Sequence, residues 1–209
     1  MNASEKQKKL DDIAKRLGDE LSYDLAKHAN LVPGEGDPDA EVMFIGEAPG
    51  ADEDRLKRPF IGRSGQLLRA NIRKVGWNEE EVYITNIVKH RPPANRDPFP
   101  DEILQNKPLL DEQILTIDPL MIVTLGRFSM GKFFADAKIS QIHGKIYKVT
   151  HLGKKRFIVP QYHPAAALRS EAMKQQFEKD FANLPKILDW ARKQKETIGL
   201  EENVEEFLL

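Results

Sequence analysis

The chain has 209 residues, 40% of them hydrophobic and 31% charged, a composition that suits one soluble globular domain with a core of its own. It has no cysteine, which excludes disulfides, thiolate zinc sites and cysteine-bound iron–sulfur clusters. A net charge of −1 argues against a uniformly basic nucleic-acid binder, and no apolar run is long enough to span a bilayer.

In chain order, Ser4 to Ala29 reads as one or two amphipathic helices, with Leu10, Ile13, Ala14, Leu17 and Leu21 at helical spacing. The first residues lack the apolar stretch of a secretory signal, so a cytoplasmic address and no membrane partner are expected. Pro33-Gly34-Glu35-Gly36-Asp37-Pro38 is a loop by composition. Glu41 to Gly46 is a buried strand ending at glycine. Ser64 can cap a helix that runs through Leu67, Leu68, Ile72 and Val75 to Gly76. Val82 to Asn86 is a second strand, and residues 89–100, with four prolines and no period, form a loop. Asp101 to Ile117 reads as a helix, Met121 to Leu125 as a third strand, and Gly126 opens another helix. Two short strands follow, Ile146 to Val149 and Phe157 to Pro160, and then one long amphipathic helix from Met173 to Gln194. Residues 1–195 are expected to form one domain, with 1–33 as its helical N-terminal segment. Residues 196–209 are an acidic tail with five glutamates and no lysine or arginine, and leaving them out takes the net charge from −1 to +4.

Strands alternating with helices imply an α/β fold with a mainly parallel sheet, and ligands of such sheets sit beyond the carboxyl ends of the strands. Three informative segments lie there, the loop after Ile45, Asn86 at the end of its strand and His163 after Val159-Pro160, and with the segment around Phe60 four carry candidate chemistry. In Gly46-Glu47-Ala48-Pro49-Gly50-Ala51-Asp52-Glu53-Asp54, glycines let backbone N–H groups face a ligand, and carboxylates can orient water or stabilise a cation. The same residues also suit a plain strand-to-helix turn with exposed acids. In Arg58-Pro59-Phe60-Ile61-Gly62-Arg63-Ser64-Gly65-Gln66, a phenylalanine can stack on a base while arginines meet phosphates, or it can simply anchor the loop. In Thr85-Asn86-Ile87-Val88-Lys89-His90-Arg91-Pro92-Pro93, the Asn86 amide offers one acceptor and two donors. That set complements a pyrimidine edge with a donor beside an acceptor, as in uracil, and leaves cytosine mispaired. A strand-end cap is its commoner use. In Gln161-Tyr162-His163-Pro164-Ala165-Ala166-Ala167-Leu168-Arg169, a histidine can hydrogen-bond to charge developing on a leaving group, or serve as the first residue of a proline turn.

Taken together and in this order, the four segments resemble the family-4 uracil-DNA glycosylases, over about Gly34 to Leu188. The resemblance implies a three-layer α/β/α sandwich around a central four-stranded, mainly parallel sheet. It implies an enzyme of base-excision repair that flips deoxyuridine out of DNA and hydrolyses its N-glycosidic bond. Gly46, Glu47 and Ala48 would line the uracil pocket, Phe60 would stack on the ring, Asn86 would read its polar edge, and His163 would bond to O2. Glu47 is the candidate for positioning water or stabilising the cationic sugar. Glu53 is its alternative, or else crowds the C5 methyl of thymine. Arg63, Ser64, Lys89, Arg91, Ala165, Ala166, Leu168 and Arg169 are the candidate DNA contacts. The partner is uracil-containing DNA, double- or single-stranded, and the protein is expected to act as a monomer, with a weak clamp contact through the tail.

Members of the family typically carry a structural iron–sulfur cluster on four cysteines. The corresponding positions fall near Asp19, Ser22, His90 and Asn106, so neither cluster nor other cofactor nor metal is expected here. His90 then reads as a surface or hydrogen-bonding residue, or as a covalent trap for DNA like that of a related subgroup. Ala167 stands where many relatives have a larger residue, which would pass the insertion duty to Leu168 or Arg169. A catalytically silent or covalently cross-linking uracil-DNA binder is the alternative function. A phosphate-metabolising α/β enzyme is another, but it would need a P-loop lysine or a metal-ligand cluster.

Overall fold

The computed structural model describes residues 1–19 and 24–194. Leu21, Ser22 and the acidic tail lie outside the described residues.

Six strands form one sheet in the order β1-β3-β2-β4-β6-β5. They are β1 (Glu35–Gly36), β2 (Val42–Gly46), β3 (Tyr83–Asn86), β4 (Met121–Leu125), β5 (Tyr147–His151) and β6 (Lys154–Gln161). The inner four, β3, β2, β4 and β6, are parallel, as the alternation with helices predicts, and β1 and β5 add antiparallel edges. The sheet therefore has two strands more than the four expected. One of them, β1, falls in the Pro33–Pro38 stretch that composition reads as loop. Gly34 and Gly36 there take φ of 129° and 130°. A Cβ on Gly36 would come within 2.8 Å of Tyr83 Cα and closer to the Val82 carbonyl, so glycine is what lets this segment close on β3.

Every residue of β2, β3 and β4 is buried, as a parallel strand covered on both faces requires. Alternate side chains enter two cores. Met43 and Ile45 pack with Leu10, Ile13 and Leu17 of α1 (Ala3–Asp19) and with Leu110 and Ile114 of α5 (Pro100–Ile117). Val42 and Phe44 pack on the other side with Leu68 and Ile72 of α4 (Arg63–Lys74), Phe177 and Phe181 of α9 (Glu171–Ala182), and Leu184 and Leu188 of the helix 184–194. These are the three layers that the alternation of elements implies. Short helices fill the connections: α2 (Asp24–His28), α3 (Ala51–Leu56), α6 (Arg127–Gly131), α7 (Ile139–Ile142) and α8 (Pro164–Ala167).

Two boundaries differ from expectation. The N-cap of α4 is Gly62, not Ser64, because the Glu53 carboxylate takes the Ile61 and Gly62 N–H groups at 3.0 and 2.8 Å and turns the chain into the helix early. The expected helix from Met173 to Gln194 is two helices that meet at Asn183. Pro185 lacks the N–H that would reach the Phe181 carbonyl, and its ring would clash with that carbonyl in a continuous helix.

Candidate active site

The carboxyl ends of the inner strands open onto a cavity of about 740 Å³. Among its lining residues are Glu47, Phe60, Asn86, Arg127, Tyr162 and His163. Register places Gly46 of β2 beside Asn86 of β3. A Cβ on Gly46 would lie 2.6 Å from Phe60 Cε2 and closer still to Phe60 Cζ and Asn86 Oδ1. Glycine at the end of β2 thus allows a phenyl ring and an amide to meet over one strand. Phe60 is buried, and its ring centroid lies 6.0 Å from that of His163 at an interplanar angle of 35°.

Asn86 is buried, and its Oδ1 has no hydrogen-bond partner among the described residues. A buried acceptor left in this way costs about 1–3 kcal/mol, so few are retained without a use. Beside a stacking surface, it fits the edge of a planar ligand that brings an N–H donor.

His163 is the N-cap of α8, and its Nδ1 accepts the Ala165 N–H at 3.1 Å. That bond leaves the proton of the neutral ring on Nε2, so the histidine offers a donor to the cavity. Burial, reinforced by the Arg169 charge, lowers its pKa to about 4, and the ring is neutral at physiological pH. Such a donor can bind a developing anion without first giving up its proton.

Glu47 directly follows Gly46 and is half-buried in the cavity wall. Its carboxyl is pushed above the usual range by burial and then by Asp97, while Arg127 opposes the shift. Arg127 and Asp97 are themselves an ion pair at the cavity mouth. Glu53 also borders the cavity, but its carboxylate accepts the N–H groups of Gly50, Ile61 and Gly62 at 3.1, 3.0 and 2.8 Å. It therefore joins the loop after β2 to the Phe60 loop.

Residues 33–184 match the uracil DNA glycosylase superfamily. The chain is 41% identical to a type-4 uracil-DNA glycosylase of Archaeoglobus fulgidus over 85% of its own length and 92% of that protein. It is 46% identical to a type-4 uracil-DNA glycosylase of Saccharolobus solfataricus over 76% of both chains. A type-4 uracil-DNA glycosylase of Sulfurisphaera tokodaii is 45% identical over 76% of this chain and 74% of its own. The chain belongs to the type-4 uracil-DNA glycosylase family.

This family member brings most of its sequence-predicted residues to one place. Glu47, Ala48, Glu53, Phe60, Ser64, Asn86, His163, Ala165, Ala166 and Arg169 all border the cavity. Leu168 stands outside it, 43% exposed, whereas Ala167 is buried in the core. Arg63 is exposed on the first turn of α4, and Arg91 bonds the Asn95 side chain on the loop beside the mouth. Lys89 is a correction. It was expected among the DNA contacts, but it is fully buried, with Nζ on Thr85 Oγ1 at 2.5 Å and Gln113 Oε1 at 2.7 Å. Asp97 and Arg127 are among the residues of the site that escape a sequence reading. Their signal lies only in their joint effect on Glu47, and they are 30 residues apart.

The positions that correspond to the family's cluster do not fit a cluster in this chain. His90 is buried, and burial lowers its pKa to about 4. Asn106 is buried too, donating to the Glu102 carbonyl at 2.8 Å and accepting the Lys89 N–H at 3.1 Å. Asn106 thereby ties the segment after β3 to α5 with protein hydrogen bonds. His90 is not a surface residue, nor is it among those that border the cavity, which removes the support for a covalent role.

Proposed function

We propose that the protein is a monofunctional uracil-DNA glycosylase, acting on deoxyuridine flipped out of single- or double-stranded DNA. The single observation that carries this reading is the unpartnered Asn86 Oδ1 beside Gly46 and the Phe60 ring, in a cavity that a neutral His163 also lines. Uracil brings an N3–H to that acceptor, whereas cytosine brings a lone pair and leaves both groups unpaired. Extruding the nucleotide costs a few kcal/mol, least at a U·G mismatch.

In this mechanism the C1′–N1 bond breaks heterolytically, and its electron pair leaves on uracil. His163 Nε2–H binds O2 as negative charge collects there, an interaction worth about 3 kcal/mol in the transition state. Glu47 faces the cationic sugar and orients the water that adds its oxygen to C1′, and the carboxylate accepts the water's proton. That proton passes from Glu47 through solvent to the uracil anion, which restores the carboxylate and completes the balance. Arg63, Ser64, Arg91, Ala165, Ala166, Leu168 and Arg169 ring the mouth as the DNA-facing set, with Leu168 the wedge against the stack. We assign the protein as a monomer, built as one domain over residues 1–195. A clamp would be met through the apolar end of the acidic tail. No described helix is long and apolar enough to cross a membrane, and we assign the enzyme to the cytoplasm.

The test is to incubate the protein with uracil oligonucleotides, paired and unpaired, then treat with alkali and run a denaturing gel. Cleavage at the uracil position is expected from both substrates. An uncut strand with free uracil undetectable would overturn the proposal, and a shifted band surviving denaturation would point to cross-linking instead.

A further inference from the structure

Phe60 takes a backbone φ of 52°, a left-handed conformation that a bulky residue holds only under constraint. Constraint comes from three sides. A Cβ on Gly65 would lie 2.5 Å from Phe60 Cα and closer still to its carbonyl, so α4 presses directly on this peptide. The Glu53 carboxylate binds the N–H groups that follow, on Ile61 and Gly62. The carbonyls are held by Arg69, whose Nε donates to Phe60 O at 2.8 Å and whose Nη2 donates to Pro59 O at 2.8 Å.

Arg69 is itself fixed. Nη1 bonds Glu79 Oε2 at 2.8 Å, Nη2 bonds Glu35 Oε1 at 2.6 Å, and the side chain is only 12% exposed. A planar guanidinium can serve two successive carbonyls and two carboxylates at once, and an ammonium point charge cannot match that fork. Glu35 and Glu79 come from separate elements, β1 and the turn Glu79–Glu81 before β3, so the Phe60 peptide is referenced to the frame of the sheet.

We infer that Arg69 is a positioning residue, outside the cavity, that sets the height of the Phe60 ring over Gly46 and so the width of the slot for the base. The inference rests on the glycosylase reading above. Without the guanidinium the left-handed peptide relaxes, the ring leaves Gly46, and the stacked base loses its near-attack placement, where displacements of about 1 Å can cost up to a hundredfold.

The experiment is a double-mutant cycle on single-turnover uracil release, with inhibition by free uracil measured in parallel. Arg69→Gln and Arg69→Lys should each lower kcat/KM by about tenfold or more and weaken inhibition by uracil by a similar factor. In a Phe60→Leu background, Arg69→Gln should change kcat/KM less than about twofold, since the ring it positions is gone. Glu79→Gln, which loosens Arg69 without touching the loop, should act in the same direction more weakly and serves if the Arg69 variants fold poorly. A normal kcat/KM well below the melting temperature, or a loss equally large with and without the Phe60 ring, would make Arg69 merely structural and overturn the inference. Absence of uracil release by the unmodified protein would instead defeat the glycosylase reading.

Discussion

Replacing Asn86 by alanine separates the two things this side chain does. In the free protein its Oδ1 is buried and unpaired, a condition that costs stability by about 1–3 kcal/mol. Asn86→Ala removes that cost, and its space opens on the cavity, so little packing is lost. The melting temperature should stay level or rise, by about 2–4 °C for each kcal/mol relieved in a chain of this size. Catalysis should move the other way. The bond from uracil N3–H to a buried acceptor is worth about 1.5–3 kcal/mol in a site this dry, or roughly 10- to 150-fold in kcat/KM. Discrimination against cytosine should shrink with it, because the mispaired acceptor that rejects cytosine is gone. Uracil release from matched oligonucleotides, followed with thermal melts, reads both effects. A variant that keeps kcat/KM within threefold of the parent, or that melts well below it, would show that Asn86 does not read the base from an unpaired acceptor.

Other expectations follow from charge and burial. Burial and then Asp97 raise the Glu47 carboxyl while Arg127 lowers it. The acidic limb of the pH–rate profile should therefore move to lower pH in Asp97→Asn and to higher pH in Arg127→Ala, and a limb unmoved by both would remove Glu47 from the rate. His90 and His163 fall from 6.5 to about 4 on folding. The unfolded chain binds more protons between those values, so stability is full above about pH 6.5 and declines towards pH 4. Urea unfolding at pH 7.5 and 5 should show that decline, and His90→Gln should lessen it; equal declines would place the effect elsewhere. Lys89→Met should lower stability by leaving Thr85 and Gln113 partners unmet, yet leave the salt dependence of DNA binding unchanged. A shallower salt slope would return Lys89 to the phosphate-facing surface.

Much of this architecture is legible in the residues themselves. The buried strands at 42–46, 83–86 and 121–125 announce themselves as short apolar runs ending at Gly46, Asn86 and Gly126, and the stripe Leu10, Ile13, Leu17 marks the face of α1. What escapes depends on contacts between distant segments. A two-residue strand at Glu35–Gly36 has no period to detect, and its pairing depends on glycine conformations visible only against β3. The break at Asn183 is signalled by Pro185, but a strong apolar pattern on both sides masks it. Lys89 reads as one of a basic cluster with Arg91 and Arg96, whereas the bend after β3 turns it inward onto Gln113 of α5, 24 residues on. Arg69 lies inside an amphipathic helix and carries no local mark of its hold on Phe60; only the folded chain brings Pro59 and Phe60 carbonyls, Glu35 and Glu79 around one guanidinium.

A crystal structure of the protein soaked with free uracil tests the pocket most directly. One uracil ring is expected to stack on Phe60, with N3–H within hydrogen-bonding reach of Asn86 Oδ1 and O2 meeting His163 Nε2. A uracil seated elsewhere, or seated there with Asn86 Oδ1 still unpartnered, would contradict that reading of the pocket.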